Sequence, residues 1–220
     1  MFTRAVILGA GEGSRMGPLT RTLPKALLPK IEKSLLKWQI EFLKDYGIEV
    51  MVTVGYMKDL VSSAAMTLGA DGFIDTSNQG NAYFLNLIPR DTADLLVITC
   101  DNIMTIDLEE LSKEFTESSC VGMVVPVKPT DVVLGDRLKV DGKIVLSCDY
   151  ESGDSVIASG LQVLDLTKLP SNTGLWNDFH DLWNELISSH SLQVAYQTPS
   201  SWLPVDTPEQ LEKFIEINRE

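Results

Sequence analysis

The sequence predicts an α/β fold, a single domain with a mostly parallel, mixed sheet and helices on both faces. Three observations carry this. Apolar strand-like runs alternate with helix-like segments through the first 127 residues. One run, Leu95-Leu-Val-Ile98, is hydrophobic at every position, as expected of a central parallel strand covered on both faces. Asp141-Gly142 then marks a tight hairpin in the second half, which brings antiparallel pairing into the sheet.

Taken in order, Ala5–Leu8 reads as the first strand. Prolines 18, 24 and 29 forbid a long helix directly after it, so the first helix is expected near 34–46, closed by Gly47. A strand Glu49–Val54, a helix near 58–68, a strand Gly72–Ile74 and a short helix near 82–88 follow. Beyond Leu95–Ile98, Asp107 can cap a helix of roughly ten residues, and Cys120–Val127 is another strand. Arg137–Val140 and Lys143–Leu146 flank the hairpin turn, and residues 149–155 are polar and turn-prone. A strand near 156–164, a helix near 178–190 and a strand near 192–196 come next. Thr207-Pro-Glu-Gln210 opens the last helix as a capping box with proline at its first position. No repeat, low-complexity tract or linker suggests a second domain.

A chain of 220 residues with 44% hydrophobic content can bury a sizeable core. No apolar run approaches the ~20 residues that span a bilayer, and Met1-Phe-Thr-Arg4 shows no signal-peptide pattern, so the cytoplasm is expected and a membrane role is not. Cys100, Cys120 and Cys148 are odd in number, widely spaced and expected as buried thiols. His180 and His190 are expected on or near a helix, not at a metal. The net charge of −13 argues against a nucleic-acid partner. Its distribution is uneven: residues 1–37 carry seven Lys/Arg against Glu12 and Glu32, an excess of +5, which leaves −18 for the remainder.

That basic segment contains the most informative stretch of the chain. Gly9-Ala-Gly-Glu-Gly13-Ser-Arg15 follows directly on the first strand and leads into Pro18-Leu-Thr20 and Pro24-Lys25. Glycines without Cβ let backbone N–H groups approach a phosphate or a base, and Arg15 and Lys25 place positive charge where a triphosphate would lie. A Walker A loop is excluded, because no Lys-Ser/Thr follows the glycines. A dinucleotide fingerprint is excluded too: position 14 is Ser, and the second strand ends in Val54-Gly55 without a ribose-binding acid.

The stretch resembles the signature Gly-x-Gly-x-Arg-(x)n-Pro-Leu-Thr-(x)3-Pro-Lys of the nucleotidylyltransferases that activate sugar 1-phosphates and phosphocholine. The resemblance continues through Trp38–Lys44, Val54-Gly-Tyr56, Thr99-Cys-Asp101-Asn102, Ala158-Ser-Gly160 and Trp202-Leu-Pro-Val-Asp206, in the family's order. It implies a Rossmann-like, GT-A-like nucleotidyltransferase fold, with residues 1–127 as the nucleotide-binding half and 128–220 as the acceptor-binding half. It also implies an enzyme that moves a nucleoside monophosphate from a triphosphate to a small phosphorylated acceptor, releasing pyrophosphate.

The resemblance assigns roles residue by residue. Arg15 steadies the departing pyrophosphate and Lys25 the α-phosphate. Leu8, Gly9, Ala10, Gly11, Glu12 and Gly13, with Gln79, Gly80 and Asn81, hold the nucleotide. Asp101 and Asp206 match the family's Mg²⁺-binding carboxylates, and Tyr83, Gly160 and Trp202 fall where the acceptor binds. Each has a plainer reading: Asp101 as a turn with Asn102, Asp206 as a helix cap, Gln79 and Asn81 as a polar loop. Two carboxylates far apart in sequence suit an ion that keeps phosphate oxygens and waters in its shell.

The chain also departs from the sugar-1-phosphate pattern. The usual Glu-Lys-Pro segment is replaced by Ser147-Cys-Asp-Tyr150, and Gly80-Asn81-Ala-Tyr83-Phe-Leu85 stands where Gly-Thr-Ala-x-x-Leu is common. These features resemble the short phosphocholine-type cytidylyltransferases and favour CTP, with a sugar 1-phosphate as the alternative acceptor. Trp176, Trp183, Trp202, Tyr83 and Tyr150 could cage a quaternary ammonium, although aromatics at such positions are usually core. Products of such enzymes commonly feed surface polysaccharide or lipid assembly. A non-catalytic regulatory subunit of the same fold is the rival reading, and the presence of Arg15, Lys25, Asp101 and Asp206 counts against it. Oligomeric state stays open.

Overall fold

A computed structural model describes residues 1–30, 33–90, 94–128, 135–148, 155–170 and 175–219. In chain order the elements are β1 (Arg4–Leu8), α1 (Leu35–Asp45), β2 (Glu49–Val54), α2 (Lys58–Thr67), β3 (Gly72–Asp75), β4 (Leu95–Thr99), β5 (Asn102–Thr105) and α3 (Leu108–Glu117). They continue with β6 (Gly122–Val127), β7 (Arg137–Asp141), β8 (Ile144–Ser147), β9 (Ser155–Leu164), α4 (Phe179–Ser188), β10 (Leu192–Val194), β11 (Ser201–Pro204) and α5 (Pro208–Ile217).

Local chemistry sets most of these boundaries. The Ser34 hydroxyl accepts from the Lys37 N–H to start α1, and Gly47 adopts the left-handed backbone (φ 71°) just beyond its end. Asp107 accepts from Glu109 and Glu110 N–H to start α3. α4 and α5 each open with a reciprocal capping box, Asp178 with Asp181 and Thr207 with Gln210, and Pro208 stands in the first turn of α5. Gly142, at φ 58°, turns β7 into β8 as the Asp-Gly signal predicts. The expected helix near 82–88 is a single 3₁₀ turn, Tyr83–Asn86. The expected turn at 149–155 lies, up to residue 154, outside the described residues, as does Tyr150.

The chain forms two compact units. The N-terminal unit comprises Thr3–Gln79, Ile98–Met104 and Leu203–Glu220. In it β3, β2 and β1 lie side by side and parallel, with Val6 opposite Met51 and Val52 opposite Phe73. The Cys100 N–H donates to Leu8 O just past β4. Its core gathers Met16, Leu28, Leu35, Ile103, Val205, Leu211 and Phe214, with Trp38 edge-on to Phe214 at 5.9 Å. Thus the signature segment, α1 and the last strand and helix bury their apolar sides together.

The central unit comprises Met1–Phe2, Gly80–Val97 and Thr105–Trp202. There the strand order is β9-β6-β10-β8-β7, with β10 parallel to β6 and the β6–β9, β7–β8, β7–β9 and β8–β10 pairs antiparallel. Every residue of β6 is buried. Phe84, Phe179 and Trp183 pack in series at ring separations near 6 Å, Phe84–Phe179 being 6.3 Å and Phe179–Trp183 6.2 Å. The pairing is therefore mixed, parallel in the N-terminal unit and chiefly antiparallel in the central one.

Cys100 and Cys120 are buried, and burial pushes both thiols up from their ordinary value. Cys148, expected buried, is only half-buried, because it stands just past the end of β8. His180 lies on α4 with Nε2 3.3 Å from Asp136, and His190 follows that helix. No helix among the described residues is long and apolar enough to cross a membrane.

Candidate active site

The glycine loop is fixed to the neighbouring strand by its backbone. Gly9 N–H donates to Thr53 Oγ1 at 3.1 Å, and a Cβ at position 9 would lie 3.0 Å from Thr53 O. Ala10 O accepts from Tyr56 N–H at 2.9 Å, while a Cβ on Gly55 would meet that same carbonyl at 3.0 Å. Gly9 and Val54-Gly-Tyr56 are thus packing requirements of one junction. Leu8 and Ala10 are half-buried there, and Gly11 and Glu12 are exposed beyond it.

Gly13 then takes the left-handed conformation (φ 69°), and its carbonyl accepts from Met16 N–H and the Thr20 hydroxyl. Two 3₁₀ segments follow, Ser14–Thr20 and Lys25–Leu27. The Tyr56 hydroxyl donates to Thr20 O, which ties the Pro-Leu-Thr turn back to the end of β2.

These turns deliver two cations to two carboxylates. Lys25 Nζ lies 2.6 Å from Asp101 Oδ2 and 2.6 Å from Asp206 Oδ1, and an Arg15 guanidinium nitrogen lies 2.9 Å from the same Asp206 oxygen. The Lys25 side chain is 8% exposed; that of Arg15 is 56% exposed and faces solvent. Burial alone would pull the Lys25 ammonium below the ordinary lysine value. The charge and hydrogen bonds of Asp101 and Asp206 outweigh it and hold the ammonium above that value.

The carboxylates are themselves held. Asn102 Nδ2 donates to Asp101 Oδ1 at 3.1 Å and to Thr99 Oγ1 at 2.7 Å, while the buried Gln39 donates to the Asn102 and Thr99 carbonyls. Asp206 N–H donates to Gln210 Oε1 at 2.7 Å, so the capping box of α5 also fixes the backbone of Asp206. Val205 N–H donates to Asp101 O at 2.8 Å, where β11 pairs with β5.

Asp101 and Asp206 therefore converge on one cationic position, the arrangement a divalent ion needs from its protein ligands. Among the described residues no group of three or more His, Cys, Asp or Glu gathers to hold a metal. An ion on this pair would take its remaining ligands from substrate oxygens and water, as Mg²⁺ commonly does.

The other candidates divide between the units. Gln79, exposed, closes a turn through its N–H to Thr76 O in the N-terminal unit. In the central unit Gly80 N–H donates to Asn177 Oδ1, and a Cβ at position 80 would lie 2.1 Å from Asn177 O. Asn81 Oδ1 accepts from Phe179 N–H at the start of α4, which leaves its amide N–H groups for other partners. Tyr83 is half-buried and begins the 3₁₀ turn. Gly160 sits mid-strand in β9 with φ 87°, beside Ser159, whose carbonyl accepts from the Trp202 indole N–H at 3.0 Å. Trp176 and Trp183 are core residues, each 4% exposed, with their indole N–H groups on Glu185 and Gln162.

Sequence reasoning missed Asn177, which organises Gly80 and Ala82 from nearly a hundred residues away, and the supporting parts of Gln39 and Gln210. Asn177 has no local signal. Gln210 does, because a capping-box glutamine that accepts from the Thr207 N–H can also accept from the N–H of the residue before the cap.

A family model described as nucleotidyl transferase matches residues 4–132. The chain is 36% identical over 107 residues to the choline-phosphate cytidylyltransferase of Streptococcus pneumoniae (strain ATCC BAA-255 / R6), covering 46% of this chain and 45% of that protein. It is 46% identical over 232 aligned positions to the bifunctional IPC transferase and DIPP synthase of Aquifex aeolicus (strain VF5), covering 97% of this chain and 51% of that protein. The matches thus span about half of these relatives' lengths. A solved structure of the CTP:phosphocholine cytidylyltransferase from Streptococcus pneumoniae superimposes with a TM-score of 0.77 at 25% identity, over 99% of each chain.

Proposed function

Because this chain belongs to the nucleotidyl transferase family, we propose that it transfers a nucleoside monophosphate from a nucleoside triphosphate, CTP by preference, to a small phosphorylated alcohol or amine of the phosphocholine class. The observation that carries the reading is the convergence of Lys25 and Arg15 on Asp101 and Asp206, next to a glycine loop at the end of β1.

In this reading an oxygen of the acceptor phosphate attacks the α-phosphorus in line. The new P–O bond forms as the bond to the β-phosphate oxygen breaks, and pyrophosphate leaves with that electron pair. Both reactants are anions, so the protein's work is to position them and to neutralise charge. Lys25 faces the α-phosphate, where negative charge builds, and the exposed Arg15 meets the departing pyrophosphate. Backbone groups of Leu8–Gly13, with Gln79, Gly80 and Asn81, hold the nucleotide, and Tyr83, Gly160 and Trp202 contribute to the acceptor side. Mg²⁺, when bound by Asp101 and Asp206, supplies charge neutralisation on the phosphate oxygens.

The choice of CTP is supported by the cytidylyltransferases among the relatives, and the choice of acceptor by the Asn81-Ala-Tyr83 segment and the missing Glu-Lys-Pro. The test is pyrophosphate release with Mg²⁺, using CTP, UTP, GTP, ATP and dTTP against separate pools of phosphocholine-like compounds and sugar 1-phosphates. CTP turnover in the first pool is expected. Turnover confined to the second pool would replace the acceptor by a sugar 1-phosphate. Nucleotide binding without turnover in any pool would favour the regulatory subunit.

A further inference from the structure

One ammonium serves both candidate metal carboxylates. Lys25 Nζ bridges Asp101 Oδ2 and Asp206 Oδ1 at 2.6 Å each, and Arg15 shares the Asp206 oxygen. The bridge is built in. The Lys25 side chain is buried, and its stem is backed by Gly13, where an added Cβ would lie 2.7 Å from Lys25 Cβ. The Asn102 amide, meanwhile, fixes the other oxygen of Asp101.

Two carboxylates held this close repel each other unless a cation lies between them. Here that cation is part of the chain. A divalent ion bound to the same two oxygens would approach within ~2.1 Å of each and so would have to displace the ammonium from them. A nucleoside triphosphate changes the balance, because its phosphates offer Lys25 and Arg15 other anionic partners.

We propose that Lys25 is a resident counter-cation: in the nucleotide-free protein it holds Asp101 and Asp206 and competes with the divalent ion for them, so the ion is taken up with the nucleotide and not before it. The inference rests on the reading that this carboxylate pair holds the ion. It adds an order of binding, and gives Lys25 a task before any chemistry begins.

The test uses Mn²⁺ as the probe, titrated into the nucleotide-free protein and followed by electron paramagnetic resonance. Lys25→Met is expected to bind Mn²⁺ about tenfold or more tighter than the wild type, within the range of ordinary coupling between two ligands. Mn²⁺ should also raise the melting temperature of the variant more than that of the wild type. Equal Mn²⁺ affinities would overturn the proposal.

A second measurement needs only the wild type. The Lys25 ammonium signal in lysine-selective ¹⁵N NMR should persist in millimolar Mg²⁺ and shift or vanish once CTP is added with it. Its loss on Mg²⁺ alone would overturn the proposal even if Lys25→Met does not fold. Failure of the underlying reading looks different. Asp101→Asn with Asp206→Asn should strip Mn²⁺ from the protein–CTP complex. If that double variant retained wild-type Mn²⁺ binding with CTP, the carboxylate pair would not be the ion's site, and this inference would fall with it. If the double variant lost the ion while Lys25→Met gained nothing, only the counter-cation would be wrong.

Discussion

Gly13 stands face to face with the aliphatic stem of Lys25: a Cβ built on Gly13 would lie 2.7 Å from Lys25 Cβ and 2.9 Å from its Cδ. The third glycine of the loop therefore leaves room for the lysine's stem. Gly13→Ala combines that clash with a left-handed backbone (φ 69°) that a side chain resists. Displacing Lys25 by about 1 Å should lower turnover roughly 100-fold. Gly11→Ala, with nothing within 4 Å of its added Cβ, should cost far less. Steady-state pyrophosphate release from the two variants checks this, and equal losses would contradict it.

Lys25→Ala removes charge stabilisation of the reacting phosphate while leaving the glycine loop intact. Turnover should fall by about 10²–10³, the usual cost of removing one such donor. Nucleotide binding, measured by calorimetry, should survive in part. Wild-type turnover in this variant would remove Lys25 from the chemistry.

The close approach of Gly80 to Asn177 is a backbone matter. A Cβ at position 80 would lie 2.1 Å from Asn177 O, the carbonyl that also accepts from Ala82 N–H. Gly80→Ala must push these segments apart, at about 1–3 kcal/mol. For a chain of this size that corresponds to a melting temperature lower by roughly 2–10 °C. Thermal unfolding followed by circular dichroism gives the answer, and an unchanged midpoint would show that the contact yields freely.

Glu114 makes stability depend on pH. Burial by itself raises its carboxyl, but the N–H groups of Tyr196 and Gln197 and the Lys143 ammonium outweigh burial and hold it below the ordinary value of 4.5. A carboxyl with a lowered folded-state value contributes stability that is complete above 4.5 and lost as pH falls through the folded value. Glu114→Gln should be less stable than wild type at pH 7 and lose less on acidification below 4.5. Urea midpoints between neutral pH and about pH 3 test this; parallel curves would contradict it.

The elements most legible in the sequence were those whose causes are local. The cap residues Asp107 and Thr207, the Gly47 stop, the Asp141-Gly142 turn and the apolar run at Leu95 each specify a boundary or a strand without reference to distant parts of the chain. The nearness of Arg15, Lys25, Asp101 and Asp206 was legible through the family signature, since no periodicity could have related positions so far apart. Strands β5 and β11 went unread for the opposite reason. Each has only four residues, and β11 ends in a proline, so neither has much preference of its own. They exist because they pair with each other. Asn177 escaped in the same way, because its hydrogen bonds reach back to Gly80 and Ala82 over the whole middle of the chain.

The 181 residues that separate Lys25 from Asp206 have a consequence during synthesis. At ordinary elongation rates that interval lasts about 10–40 s on the ribosome. Throughout it the basic signature segment has been made while one of its two carboxylates has not. Met16, Leu28 and Leu35 meanwhile lack Val205, Leu211 and Phe214, the apolar partners that complete their cluster. The signature segment is thus made well before the partners that seal it, so its apolar side stays uncovered until the last helix is made.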